Sequence, residues 1–265
     1  MSLELNTLPA AFWAVIAAVL GAMLGSFSGV VVYRLPRMVL EETELNLAFP
    51  ASHCPSCGKN LHWWHNIPVF SYLALKGRCG FCQAPIGRVN LLMELAMAAV
   101  WAACVAAWGP SVQALVWAGF FSVLLVLLVI DWQTMLLPDA LTLPLMWAGL
   151  LLATVGATQL SLGLAVWGAA GGYMVLWLVA EVFKRARGVD GMGGGDLKLM
   201  AALGAWLGAW ALLPLVLFSS LLHVLLALAM GRRDQPAPFG PALVAAAVLV
   251  WACREQAWMR VLMGL

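Results

Sequence analysis

Apolar residues in this chain fall into long runs separated by short polar breaks. A helix needs about 20 mostly apolar residues to cross the hydrocarbon of a bilayer. The pattern predicts eight such spans, over residues 10–33, 90–108, 112–130, 139–155, 162–183, 197–210, 212–230 and 241–253. The sixth and eighth are short. The first run ends on Arg34 and Arg37 rather than at a small-residue cleavage site, so it reads as an uncleaved anchor. Its Gly21, Gly25, Ser26 and Gly29 predict close helix packing. Residues 34–89 break the pattern with a polar stretch too long for a turn, which predicts a small separate domain. The expected fold class is all-α, a polytopic transmembrane helical protein with a polar insert. The expected divisions are an anchor over 1–33, the insert over 34–89 and the remaining membrane domain over 90–265.

Composition narrows the function classes. Of 265 residues, 64% are hydrophobic and 10% charged, and the mean hydropathy is +0.95. Soluble domains are nearer half apolar and a quarter charged. One core of this size cannot hide so much apolar surface. A soluble enzyme, a nucleic-acid partner and a disordered chain are all excluded, and the lipid bilayer is the first partner. The net charge of +2 says little, but its placement says more. Twelve of the 14 Lys and Arg residues, from Arg34 to Arg88, Lys184 to Lys198, and Arg232 with Arg233, fall on one side of the predicted topology. The positive-inside rule makes that side cytoplasmic and puts both termini outside. Arg254 and Arg260 run against the rule.

The insert carries Cys54-Pro-Ser-Cys57 and Cys79-Gly-Phe-Cys82, a C-x2-C-x21-C-x2-C pattern. Two such knuckles deliver four thiolates to one tetrahedral zinc ion. Gly58 after one knuckle and Gly80 inside the other are expected to help the backbone turn around the metal. So small a domain gains folding energy from a metal. Two disulfides are the alternative, disfavoured in the reducing cytoplasm. His53 adjoins Cys54 and could replace a thiolate, whereas His62 and His65 are expected at the surface. Cys104 and Cys253 fall in spans, as small packing residues.

With 12 acidic residues in the chain, each one beside a span is informative. Asp131 follows a run from Phe121 to Ile130 whose only polar member is Ser122. Asp139 follows Pro138, and Asp196 follows Gly191-Met192-Gly193-Gly194-Gly195. An ionised carboxylate at the centre of a span costs about 2.5–3.5 kcal/mol. All three aspartates are therefore expected near the cytoplasmic boundary. Two facing aspartates share one proton. One can then activate water as a general base while the other, protonated, polarises a peptide carbonyl. The glycines allow an extended peptide close to Asp196. Neither a dinucleotide fingerprint nor a Walker loop is completed. For Asp139, and as the bland reading of Asp196, a helix N-cap is the alternative. Glu94 lies near the insert and could contact it or a ligand. Glu181 reads as a helix-end ion pair with Lys184 or Arg185.

Together these stretches resemble the type IV prepilin leader peptidases, membrane aspartic proteases with a G-x-G-D motif. The resemblance runs over Gly25-Ser26-Phe27, Tyr33-Arg34-Leu35-Pro36, Cys54-Pro-Ser-Cys57-Gly58 and His65 to Leu73. It continues through Lys76-Gly77-Arg78-Cys79, Glu94-Leu95, Asp131 with Leu137-Pro138-Asp139, and Gly191 to Lys198. One departure is Ser28-Gly29, where Leu-Asn is expected. The resemblance implies a multi-pass protein of the bacterial inner membrane with its active site facing the cytoplasm. It implies removal of the leader peptide from type IV prepilins or pseudopilins, and methylation of the new N-terminus with S-adenosylmethionine. Carried onto this chain, Asp131 and Asp196 are the catalytic pair, and Cys54, Cys57, Cys79 and Cys82 hold structural zinc. Asp139, Gly193, Gly195 and Lys198 support the pair or bind substrate, whose apolar helix would lie in the bilayer. Gly77 and Glu94 are the expected S-adenosylmethionine contacts, Gly77 by location on the insert, where Trp63 and Trp64 read rather as interface anchors. A proton-coupled or metal transporter also uses intramembrane aspartates and broken helices. A scaffold that binds pilin without cutting it is a third reading.

Overall fold

Small residues decide how the helices meet. The computed structural model describes residues 9–40, 46–189, 191–231 and 237–264. Its elements are helical: α1 (Ala10–Leu40), α2 (Phe70–Ala74), α3 (Arg88–Trp108), α4 (Val112–Thr134), α5 (Asp139–Thr154), α6 (Leu162–Arg187), α7 (Gly194–Leu207), α8 (Leu212–Ala229), α9 (Gly240–Cys253) and α10 (Ala257–Met263). Among the described residues the only extended pairing is two isolated bridges in the insert. The all-α expectation holds. The chain divides into two units, up to Val126 and from Leu127, with the division inside α4.

In the first unit, α1 packs against α3 through Gly21, Gly25 and Gly29, one per helical turn. A Cβ at Gly21 would lie 2.5 Å from the Met97 carbonyl oxygen, and one at Gly25 would lie 2.6 Å from the Glu94 Cα. At Gly29 it would meet the Asn90 side-chain oxygen at 2.8 Å. The predicted glycine seam is thus a backbone-to-backbone contact, the geometry that small residues permit between membrane helices. The departure at Ser28-Gly29 also finds its place. Gly29 leaves room for Asn90, and the Ser28 hydroxyl donates to the Leu24 carbonyl within its own helix at 2.8 Å.

Helix α1 runs to Leu40 through Pro36, past the expected boundary at residue 33. Arg34, read from sequence as a topology marker, is only 6% exposed. Its guanidinium donates to the carbonyls of Asn46 and Pro50 at 2.9 and 2.7 Å, so a buried charge is satisfied by backbone and pins the insert to α1.

In the second unit α7 lies at the centre. Leu197 and every residue from Leu199 to Trp206 are buried. Gly168 of α6 and Gly204 of α7 sit backbone against backbone, each where the other's Cβ would be. On the α5 side, Gly149 makes room for Trp206, whose indole N–H donates to the Leu145 carbonyl at 2.7 Å. A helix buried all round needs small residues on the faces where other backbones approach.

The expected count of about eight spans is not reached by length and composition. Among the described residues five helices qualify: α1, α3, α4, α6 and Ala209–Ala229. A sixth is added if α9 and α10, bent by 118° at their junction, count as one. Helices α5, α7 and α9 have 16, 14 and 14 residues. At 1.5 Å per residue, 14 residues rise only about 21 Å, short of a roughly 30 Å core. Arg232 and Arg233, which helped to orient the chain, lie outside the described residues.

Candidate active site

Asp131 sits in the last turn of α4, which Met135 ends with a φ of 53°. It is 4% exposed, and its Oδ2 accepts the backbone N–H of Gly240 at 2.9 Å. Asp196 sits in the first turn of α7, whose N-cap is Gly193. It is therefore not the N-cap that the bland reading supposed, and its carboxylate is left for other work. Its Oδ1 is buried with no hydrogen-bond partner among the described residues. Asp131 is near enough for its charge to act on Asp196. Two carboxylates 65 positions apart in sequence thus share one neighbourhood, Asp131 buried and Asp196 half-buried.

The glycines before Asp196 do different jobs. A Cβ at Gly195 would lie 2.8 Å from the Leu137 Cβ, so glycine lets the stretch after α4 lie on the start of α7. Gly193 meets only the Asp196 Oδ2 at an ordinary 3.5 Å, and Gly194 faces open space. Asp139 is not an N-cap either, because Pro138 holds that position in α5. Both Asp139 oxygens instead accept from Lys198 Nζ at 2.6 Å. This ion pair joins the first turn of α5 to the second turn of α7. The sequence suggested both residues without pairing them.

Gly240 is the site residue that sequence reasoning missed. It lies beyond every stretch that carried the family resemblance. Its one signal is Pro241 directly after it, an early helix position where a missing N–H costs nothing.

The four cysteines of the insert come together with all four sulfurs within 4.8 Å of one another. Four sulfurs at ~2.3 Å from one zinc would be ~3.8 Å apart, and Cys54 Sγ lies 3.9 Å from Cys82 Sγ. All four are free thiols. The two knuckles match each other. The bridge His53–Asn60 closes one and Arg78–Pro85 the other. Cys54 N–H donates to the Lys59 carbonyl at 3.0 Å, and Cys79 N–H to that of Ala84 at 2.8 Å. The residue after each second cysteine takes a left-handed backbone, Gly58 at 69° and Gln83 at 61°. Gly58 therefore serves the turn as expected, but Gly80 does not. Gly80 instead faces His65, whose Nε2 would stand 3.3 Å from an added Cβ. Backbone N–H groups of Cys57 and then Ser56 bring the Cys54 thiol down to about 6, which favours the thiolate that a metal needs. The set fits zinc.

His62 is exposed as expected, and His65 is half-buried. Their rings pack with Trp64 and Phe81, the closest pair being Trp64 and His65 at 4.4 Å between centroids. Trp63 remains 79% exposed.

Glu94 and Gly77 serve the insert's own fold. Glu94 is buried, and its Oε2 accepts the N–H of Val69 at 2.8 Å, tying the insert to α3. Gly77 has a φ of 68°, and an added Cβ would meet the Tyr72 hydroxyl at 2.9 Å.

Residues 19–108 match the Bacterial Peptidase A24 N-terminal domain, and residues 118–228 match the Type IV leader peptidase family. A Prepilin leader peptidase/N-methyltransferase of Burkholderia pseudomallei is 45% identical over 262 residues, covering 90% of this chain and 84% of its own. The chain belongs to the type IV leader peptidase family. Proteins of the same description from Klebsiella pneumoniae and Pseudomonas aeruginosa agree. The first is 48% identical over 194 residues, covering 73% of this chain and 84% of its own. The second is 42% identical over 262 residues, covering 88% of each. No solved structure matches the chain. The transporter reading finds no support among these type IV leader peptidase relatives. The family and the apolar helices together make the chain a multi-pass membrane protein.

Proposed function

We propose that this chain is an aspartic endopeptidase that removes the leader peptide of prepilins or pseudopilins at the cytoplasmic face of the bacterial inner membrane, and that it methylates the new N-terminus. The observation that carries the cleavage is the meeting of buried Asp131 with half-buried Asp196, close enough for one charge to act on the other. Like charges held close share one proton. In the first step the ionised carboxylate takes a proton from water as its oxygen bonds to the scissile carbonyl carbon. The protonated carboxyl gives its proton to the carbonyl oxygen, forming a neutral gem-diol. In the second step the first carboxyl protonates the leaving nitrogen and the other takes a hydroxyl proton back. The C–N bond breaks, and the pair returns to its starting state.

The open space before Gly194 suits an extended peptide beside Asp196. The apolar helix of the substrate would remain in the bilayer, with the scissile bond at the lipid boundary. Zinc on Cys54, Cys57, Cys79 and Cys82 would stabilise the insert and take no part in cleavage. The expected methyl donor is S-adenosylmethionine. Gly77 on the insert and Glu94 beside it are its proposed contacts.

Mass spectrometry of a pilin co-expressed with this protein tests both activities, since it reads leader loss and methylation on one N-terminus. Asp131→Asn and Asp196→Asn should each lower cleavage on the order of 10⁴-fold. Full cleavage by either variant rejects that residue.

A further inference from the structure

We propose that the backbone N–H of Gly240 is a positioning group for Asp131, and that it makes Asp131 the member of the pair that takes the proton from water. This rests on the aspartate-pair reading above. The first N–H groups of a helix have no partner within it. Gly240 opens α9, and its N–H goes across 109 positions of sequence to Asp131 Oδ2 at 2.9 Å, in a buried setting. Pro241 follows and has no N–H to offer. Glycine is required here by closeness rather than by backbone shape, because its φ is not left-handed. An added Cβ would lie 2.7 Å from Asp131 Oδ2, 3.0 Å from its Cγ and 3.2 Å from its Cβ.

The donor is held firmly. Gly240, Pro241, Ala242, Leu243 and Val244 are all buried. Phe239, the N-cap, meets the ring of His223 on α8 edge-on at 5.2 Å. The two aspartates are therefore unequal. Asp131 accepts the Gly240 N–H on Oδ2 at 2.9 Å, and a hydrogen bond to a carboxylate favours its ionised form. Asp196 also meets a backbone N–H, that of Gly193, but its Oδ1 is buried with no donor among the described residues, and a buried acceptor left so disfavours charge. Negative charge rests on Asp131, and the shared proton stays on Asp196 to meet the substrate carbonyl. An amide 109 positions away thus gives the pair its direction.

The test removes the N–H without adding an atom. Translational incorporation of glycolic acid at position 240 replaces the amide by an ester. Cleavage kinetics are then measured in membranes on the trypsin-resistant, folded fraction, beside Gly240→Ala. The expected result is a fall in kcat of about 10- to 100-fold with KM for pilin unchanged, as for a lost hydrogen bond to a charged group. Gly240→Ala, which pushes Asp131 away, should fall at least as far. An ester variant with wild-type kcat, or one altered only in KM, overturns the proposal. Asp131→Asn and Asp196→Asn in the same assay keep the two readings apart. If either retains cleavage, the aspartate pair fails; if both are inactive while the ester is normal, only the role of Gly240 fails.

Discussion

The cysteine insert and the aspartate site use the chain in opposite ways. The four sulfurs come from residues 54–82, and each knuckle closes on itself through hydrogen bonds between near neighbours. The aspartate site draws Asp131, Leu137, Asp196 and Gly240 from three helices and a linker, and the hydrogen bond from Gly240 to Asp131 spans 109 positions of sequence. A metal site can be written in spacing because the ion supplies the organising force. A carboxylate pair in a membrane has no such organiser. It depends on backbones coming close enough to replace water, which is why its supports are glycines and a helix end. The insert is also tied to its surroundings by charged groups, Arg34 on α1 and Glu94 on α3, each satisfied by backbone.

Removing the metal is the widest separation of the two regions, and it has the largest expected effect on stability. Structural zinc contributes about 10–16 kcal/mol in isolated zinc peptides. Chelation, or Cys54→Ser, should unfold the insert and expose Lys59, Lys76 and Arg78 to trypsin at low protease concentrations. The protein purified under reducing, chelator-free conditions should carry one zinc. Every contact named here for Asp131 and Asp196 comes from residues 137–240. Cleavage should therefore fall by less than about tenfold, as for sites without shared partners. If Cys54→Ser abolishes cleavage as fully as Asp131→Asn, the contrast between the two regions is broken.

The difference also explains what was legible from sequence. The all-helical class and the clustering of the four cysteines could be read directly, because spacing and hydrophobic runs are local signals. The seam of Gly21, Gly25 and Gly29 could be read for the same reason. The pairing of Lys198 with Asp139 could not, since nothing local distinguishes a lysine that reaches another helix from one that faces water. Gly240 was hidden further, because a backbone N–H carries no residue signature at all. The role of Gly80 was misread: glycine inside the knuckle suggested a turn, but the left-handed residue is Gln83. The span count is not settled by length and composition for the short helices α5, α7 and α9. Helix α7 is apolar and buried among its neighbours, and apolar sequence alone does not separate burial in protein from burial in lipid.

Within the aspartate site, the glycines sharpen the comparison next. Gly195→Ala drives a Cβ into Leu137 and should cost about 1–3 kcal/mol, as overpacking does. Gly193→Ala meets only an ordinary contact and should stay within about 0.5 kcal/mol. Thermal unfolding in detergent measures both. Equal losses would mean that the glycine run acts as one flexible unit rather than through a single close approach.

The smallest effect belongs to the ion pair. Lys198 and Asp139 are 34% and 56% exposed, so water screens their attraction despite the 2.6 Å separation. Exposed pairs contribute about 0.2–1 kcal/mol. Lys198→Ala should therefore lower cleavage by less than about fivefold, and raised salt should shrink the difference. The exchange Asp139→Lys with Lys198→Asp should recover most of the loss, because the pair acts by joining α5 to α7. If Lys198→Ala were as damaging as Asp196→Asn, or if the exchange recovered nothing, Lys198 would touch the reacting peptide itself. The line between a group that holds the site and a group that does its chemistry would then have to be redrawn around α7.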